Sequence, residues 1–213
     1  MKHLRLAAFV SGSGSNLQSI IDAIYSDELD ARIVQVIASK ENIPAAERAK
    51  LYDLPYATFP RKNYAGNVVA MCQDIAEYLE PLHVDLILLC GYLSFLSERF
   101  VDLYQGRIMN IHPSLLPAFG GHGAYGMRVH QSVLDHGAKV SGCTVMFVDA
   151  GADSGPIILQ RAVPVCENDS PNTLAVRVMT EENIAYPAAV KLFGEGRLQI
   201  EGKRVHILDP YVP

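Results

Sequence analysis

Asn110 and His112 stand two residues apart in RIMNIHPSLLPAFGG, the stretch from Arg107 to Gly121. In an extended strand that spacing turns both side chains to one face. A neutral amide is a suitable donor to a developing oxyanion, and an imidazole moves protons near neutral pH. Pro113 drives His112 toward an extended backbone and so helps fix its direction. Pro117 is placed to close a turn, in either peptide isomer. A polar pair inside an apolar run needs partners if it is buried; a core histidine bonded to backbone is the bland alternative. A carboxylate that orients and charges the imidazole is sought in DAGADSGP, where Asp149 ends a strand-like run and Asp153 lies in the following loop. Spacing alone does not choose between them, and an Asp among glycines also serves as a turn former.

A second constellation is SGSGSN, holding Gly12, Ser13, Gly14, Ser15 and Asn16 between a strand-like run and a helical pattern. Backbone N–H groups at a helix start attract anions, and glycines let an anion approach the backbone closely. Gly12 and Gly14 supply the first two positions of a dinucleotide fingerprint, but Leu17 occupies the third. The second strand ends in Ala38–Ser39–Lys40, without the acidic residue that would hold a ribose, and no Walker lysine follows the glycines. The pattern favours a phosphomonoester over a dinucleotide. Ser13 is not a hydrolase nucleophile, because Gly12 and Gly14 flank it directly and G-x-S-x-G is not matched. His122, His130 and His136 share a region but show no HExxH or Cys/His ligand spacing, so they read as surface or loop histidines.

These residues need a frame, and alternation supplies one. Leu4–Val10, Arg32–Ala38, Pro55–Phe59, Val84–Cys90 and Arg107–Ile111 read as strands. Asn16–Tyr25, Pro44–Leu51, Asn67–Leu79 and Ser97–Tyr104 read as the helices between them. Such βαβ alternation implies an α/β, doubly wound, mostly parallel sheet, with the apolar Val84–Cys90 at its centre. Asn110 and His112 then lie at a carboxyl strand end, where open α/β sheets bind ligands. After a helix over Met127–Asp135, Val140–Val148 and Pro156–Val165 form a hairpin, so antiparallel strands enter in the C-terminal half. Pro171 opens a helix to about Phe193 that Pro187 should kink or divide. Arg197–Gln199 and Val205–Ile207 make a last hairpin with Glu201–Gly202 in its turn.

Composition sets outer limits. The chain has 213 residues, 49% of them hydrophobic, which suits one domain with a sizeable core. A net charge of -5 argues against nucleic acid as the main partner. Cys72, Cys90, Cys143 and Cys166 form no CxxC pair and fit a reducing cytoplasm. No apolar run approaches the ~18 residues of a membrane span; the longest, VDLILLCGYLSFL, breaks at Gly91.

SGSGSNLQSIIDAI, NIHPSLLPAF, GCTVMFVDAGADSGPIILQ and RVMTEENIAYP follow in this order over nearly the whole chain. Together they resemble the folate-dependent formyltransferase family, and within it the phosphoribosylglycinamide (glycinamide ribonucleotide) formyltransferases of purine synthesis. HPSLLP is shared across the wider family, whereas the serine–glycine–asparagine loop is narrower. The resemblance implies a Rossmann-like fold in a single domain over 1–213. It implies formyl transfer from 10-formyltetrahydrofolate, as cosubstrate, to the amine of glycinamide ribonucleotide, with no metal. It assigns catalysis to Asn110, His112 and Asp153, the last in preference to Asp149. It assigns the substrate phosphate to Gly12, Ser13, Gly14, Ser15 and Asn16, and the ribose to Glu182, which spacing alone would have left as a solvated helix carboxylate. Leu93, Ser94, Phe95 and Leu96, with Val148, Asp149, Ala150 and Gly151, match the walls of the folate pocket. Ser94 and Met146 replace a frequent arginine and histidine, and a substrate-site arginine is missing near Val68, for which Arg61 or Lys62 could substitute. Location in the cytoplasm, monomer or homodimer, and no nucleic acid or membrane partner complete the expectation. A formyltetrahydrofolate hydrolase would carry a further N-terminal regulatory domain, and a methionyl-tRNA formyltransferase a C-terminal one. A related formyltransferase or hydrolase acting on another acceptor, or a non-catalytic nucleotide-binding module, is the alternative.

Overall fold

Five parallel strands and four helices make up the first part of the chain in the computed structural model, which describes residues 3–210. They are β1 (Leu4–Val10), α1 (Ser15–Tyr25), β2 (Ala31–Ala38), α2 (Pro44–Leu51), β3 (Tyr56–Thr58), α3 (Val68–Leu79), β4 (Leu86–Cys90), α4 (Glu98–Leu103) and β5 (Ile108–His112). The strand order is β3-β2-β1-β4-β5. It reverses direction between β1 and β4, as a doubly wound sheet requires. Every residue of β4, LILLC, is buried, the burial expected of a parallel strand covered on both faces. Leu17, Ile20 and Ile21 of α1 and Met71, Cys72, Ile75 and Leu79 of α3 supply apolar faces at helical spacing. Phe9 of β1 meets Tyr92 edge to face at 5.2 Å. Asn67, read as the first helical residue, stands instead as the N-cap of α3 and accepts from Ala70 N, while Ser97 caps α4 and accepts from Phe100 N. Two 3-10 turns, Arg61–Tyr64 and Glu80–Leu82, were not apparent from the sequence pattern.

Chain packing separates two compact units, one ending at Asn110 and one beginning at Ile111. The second contains α5 (Met127–Asp135), β6 (Val140–Phe147), β7 (Ile157–Pro164), α6 (Pro171–Gly194), β8 (Leu198–Glu201) and β9 (Arg204–Ile207). The expected hairpin is present, β6 and β7 pairing antiparallel. β9 pairs parallel with β7 and antiparallel with β8. The last turn differs from expectation: Glu201 closes β8 opposite Arg204, and Gly202 and Lys203 make the turn. Pro187 does not divide α6, which runs unbroken for 24 residues. An interior proline costs about 3 kcal/mol. Ala185, Tyr186, Ala189 and Val190 around it are 0–1% exposed. Burial of one large side chain already contributes about 1.5–3 kcal/mol. Tertiary packing therefore outweighs the break.

Candidate functional site

Within the first unit three segments leave one edge of the parallel sheet. Val10 ends β1 beside Cys90, the end of β4, and Leu89 pairs with Asn110 on β5. The loop 11–14, the segment after Cys90 and the Asn110 side chain thus share the carboxyl edge. The first two are tied together, Leu93 N donating to Ser11 Oγ at 2.8 Å, while Ser11 and Ser39 bond through their hydroxyls. Gly14 caps α1 at φ +71°, a left-handed conformation that a side chain resists. The capping residue is a glycine with no side chain to offer, and the first turn holds no acidic residue. A helix start of this kind carries a dipole that favours an anion. Leu93 and Phe95 are 53% and 56% exposed, apolar surface suited to a flat ring, with Ser94 and Leu96 half-buried between and beside them.

His112, two residues after Asn110 on β5, is 3% exposed in the second unit, whereas Asn110 is half-buried. Its Nε2 lies 3.0 Å from the Phe119 carbonyl oxygen, and its Nδ1 3.5 Å from Asp153 Oδ2. Acceptors thus face both nitrogens: the ring donates to Phe119 and, in its charged form, presents a second N–H to Asp153. Asp153 also accepts from Gly121 N at 2.9 Å, so one carboxylate links the imidazole to the glycine-rich loop 118–126. Asp153 adopts φ +53°, a conformation Asp tolerates better than most residues. Leu116–Pro117 is cis.

Asp149, the rival of Asp153, has a different set of partners. It accepts from Ser154 Oγ at 2.7 Å, Gly151 N at 3.0 Å and Lys203 Nζ at 2.7 Å. Burial opposes its charge, but those donors prevail and hold the carboxyl below its ordinary range. Lys203 also bonds the Ser154 carbonyl, so the last hairpin fastens the loop that carries Val148, Ala150, Gly151 and Asp153. The sequence gives no hint of that contact, which joins positions 54 residues apart.

One alternative falls away and one expectation needs correction. Glu182 is not the solvated helix carboxylate that spacing alone suggests: it is 9% exposed on α6. With burial as the main cause, its charge helps push the buried Cys143 thiol up to about 12. His130 is neither a surface nor a loop residue. It is 4% exposed on the inner stripe of α5, between Val129 and Val133, with Nδ1 unpartnered. Burial, then the nearby His112, lowers its pKa. Among the described residues no three His, Cys, Asp or Glu side chains form a group that could hold a metal ion. Lys62 pairs with Glu41 at 2.9 Å and Arg61 bonds the Gly66 carbonyl. The arginine found against the glycine loop is Arg48 of α2, whose Nε lies 3.4 Å from the Ser13 carbonyl oxygen.

The chain has counterparts among known proteins. Residues 4–190 match the formyl transferase family. The chain is 39% identical over 209 residues to phosphoribosylglycinamide formyltransferase of Haemophilus influenzae, covering 98% of this chain and 96% of that one. Glycinamide ribonucleotide transformylase 1 of Symbiobacterium toebii has the same fold, with a TM-score of 0.91 and 42% identity over 97% of this chain and 95% of that one. A formyltetrahydrofolate deformylase of Pseudomonas syringae shares the fold at a TM-score of 0.88 and 23% identity, matching 98% of this chain but 67% of its own. The chain belongs to the formyl transferase family, among its phosphoribosylglycinamide formyltransferases.

Proposed function

We propose that the protein transfers a formyl group from 10-formyltetrahydrofolate to the amine of glycinamide ribonucleotide, a step of de novo purine synthesis. The observation that carries the chemistry is His112, buried at 3% exposure with Asp153 3.5 Å from one ring nitrogen, two residues beyond Asn110. The substrate amine attacks the formyl carbon, a C–N bond forms, and the carbonyl oxygen becomes an oxyanion. Asn110 donates to that oxygen, and His112 as imidazolium adds positive charge. Asp153 sustains the charged ring and, through water, takes the proton leaving the amine. Collapse breaks the bond to the folate nitrogen, which is protonated as it leaves. The reaction calls for no covalent enzyme intermediate and no metal.

Gly12, Ser13, Gly14, Ser15 and Asn16 hold the acceptor's 5′-phosphate in this proposal, supported by the glycine cap at the start of α1. Glu182 meets the ribose. The exposed Leu93 and Phe95, with Ser94 and Leu96, and the loop Val148–Gly151 form the folate walls. Residues 1–213 act as one formyltransferase domain, as monomer or homodimer. Four free cysteines agree with work in the cytoplasm, and a net charge of -5 with small-molecule partners rather than nucleic acid. Among the described residues no helix is long and apolar enough to cross a membrane.

The test is formyl transfer from 10-formyltetrahydrofolate, read by folate absorbance, with glycinamide ribonucleotide, other amines or water as acceptor. Preferred transfer to glycinamide ribonucleotide is expected. Equal or faster hydrolysis without an amine, or preference for another acceptor, would overturn the assignment.

A further inference from the structure

We propose that Arg48 is the cationic wall of the glycine loop and sets how strongly the enzyme prefers a phosphorylated acceptor. The inference rests on the reading of SGSGSN as the loop for the acceptor's phosphate. Nothing in that loop carries a positive charge, yet a phosphomonoester at neutral pH is close to a dianion. α2 lies directly on the loop: Ala45 N donates to the Gly12 carbonyl at 3.1 Å. A Cβ built on Gly14 would stand 3.0 Å from Ala45 Cβ, so glycine lets α2 pack closely on the loop, with Arg48 Nε 3.5 Å from the same point. Arg48 Nε points to the Ser13 carbonyl at 3.4 Å, and Nη1 bonds Gln18 Oε1. Gln18 is held in turn by its own amide, which donates to Asp22 at 2.7 Å and to Tyr52 Oη at 2.9 Å.

The partners of Arg48 are all neutral. Among the described residues, none of the ion pairs includes it. A half-buried guanidinium held against two neutral acceptors keeps its full charge and several of its five donors for an anion. Beside it, α1 starts from a glycine cap that offers no side chain, and its first turn holds no acidic residue. Helix dipole and guanidinium therefore act on the same small volume with the same sign, and an arginine fork matches phosphate oxygens in geometry as well as charge. A brace alone would need only the contact to Ser13. That no carboxylate among the described residues pairs with it is what points to an incoming anion.

The experiment compares wild-type enzyme with Arg48→Met and Arg48→Lys, using glycinamide ribonucleotide and the same acceptor without its phosphate. Inorganic phosphate serves as a competing probe. In Arg48→Met the ratio of kcat/KM for the two acceptors should fall about 10- to 100-fold, the loss lying mainly in KM for the phosphorylated one. Arg48→Lys should recover part of it, because the charge returns without the fork. Inhibition by inorganic phosphate should weaken in parallel. Equal losses for both acceptors, with the ratio kept, would make Arg48 a structural brace and overturn the proposal. A wild-type enzyme that shows neither preference for the phosphorylated acceptor nor inhibition by phosphate would instead sink the reading of the loop itself. Thermal unfolding of each variant guards against misfolding, and Arg48→Lys keeps the test decisive if Arg48→Met does not fold.

Discussion

Replacing Asp153 by Asn removes one negative charge and little else. Asn fits the left-handed backbone at φ +53°, and its amide oxygen can still accept from Gly121 N. What is lost is the carboxylate 3.5 Å from His112 Nδ1. Coulomb attraction at that distance is roughly 5 kcal/mol at an effective dielectric of about 20 and roughly 1 kcal/mol in water. The imidazole is 4% and the carboxylate 17% exposed by side chain, so the pair lies between these limits. A loss of about 3 kcal/mol in support for the charged ring lowers turnover about a hundredfold. The loss should fall on kcat, because in the proposed mechanism the pair acts on charge that develops in the reaction rather than on the bound ground state. The assay is steady-state formyl transfer followed by folate absorbance, with KM determined for donor and acceptor. Turnover within threefold of wild type would refute the argument. So would a loss confined to KM.

Asn110→Ala removes a proposed oxyanion donor and should lower kcat by about 3 kcal/mol, roughly a hundredfold, with KM nearly kept; a rise in KM at constant kcat would contradict that role. His130 has its pKa lowered from an ordinary 6.5 by burial and by His112. The unfolded chain then binds the extra proton first, so this contribution to stability is complete above 6.5 and declines as pH falls below it, by at most about 1.4 kcal/mol per pH unit. Unfolding free energies from pH 5 to 8 should show that slope reduced in His130→Gln, and an unaltered slope would count against it. Gly155→Ala would press a Cβ onto the Phe147 carbonyl oxygen and within 2.8 Å of its carbon, so we expect about 2 kcal/mol or more of destabilisation in denaturant titration. A variant as stable as wild type would show that the hairpin yields there.

Much of the frame was legible because its causes are local. A run such as LILLC or the stripe Leu17, Ile20, Ile21 is set by the period of the backbone and by which side chains avoid water. Asn110 and His112 were legible for the same reason, since a spacing of two on a strand defines one face. Failures occurred where distant packing outvoted a local preference. Pro187 breaks helices in isolation, but the fully buried Tyr186 beside it holds α6 together. His130 looked like a surface residue until the stripe of Val129 and Val133 took it inside.

By itself the sequence determined the alternation of strands and helices, the glycine loop at the head of α1 and the strand-end pair Asn110–His112. All of these depend on neighbours a few residues away. It also singled out Asp153 over Asp149, but only through the family pattern. Tertiary structure alone gave that choice its physical content, with Asp153 beside His112 and Asp149 turned to Lys203. It alone set Arg48 against Ser13 and buried Glu182 in α6. Such contacts join positions dozens of residues apart, and their energies depend on distance and desolvation, which the order of residues does not state.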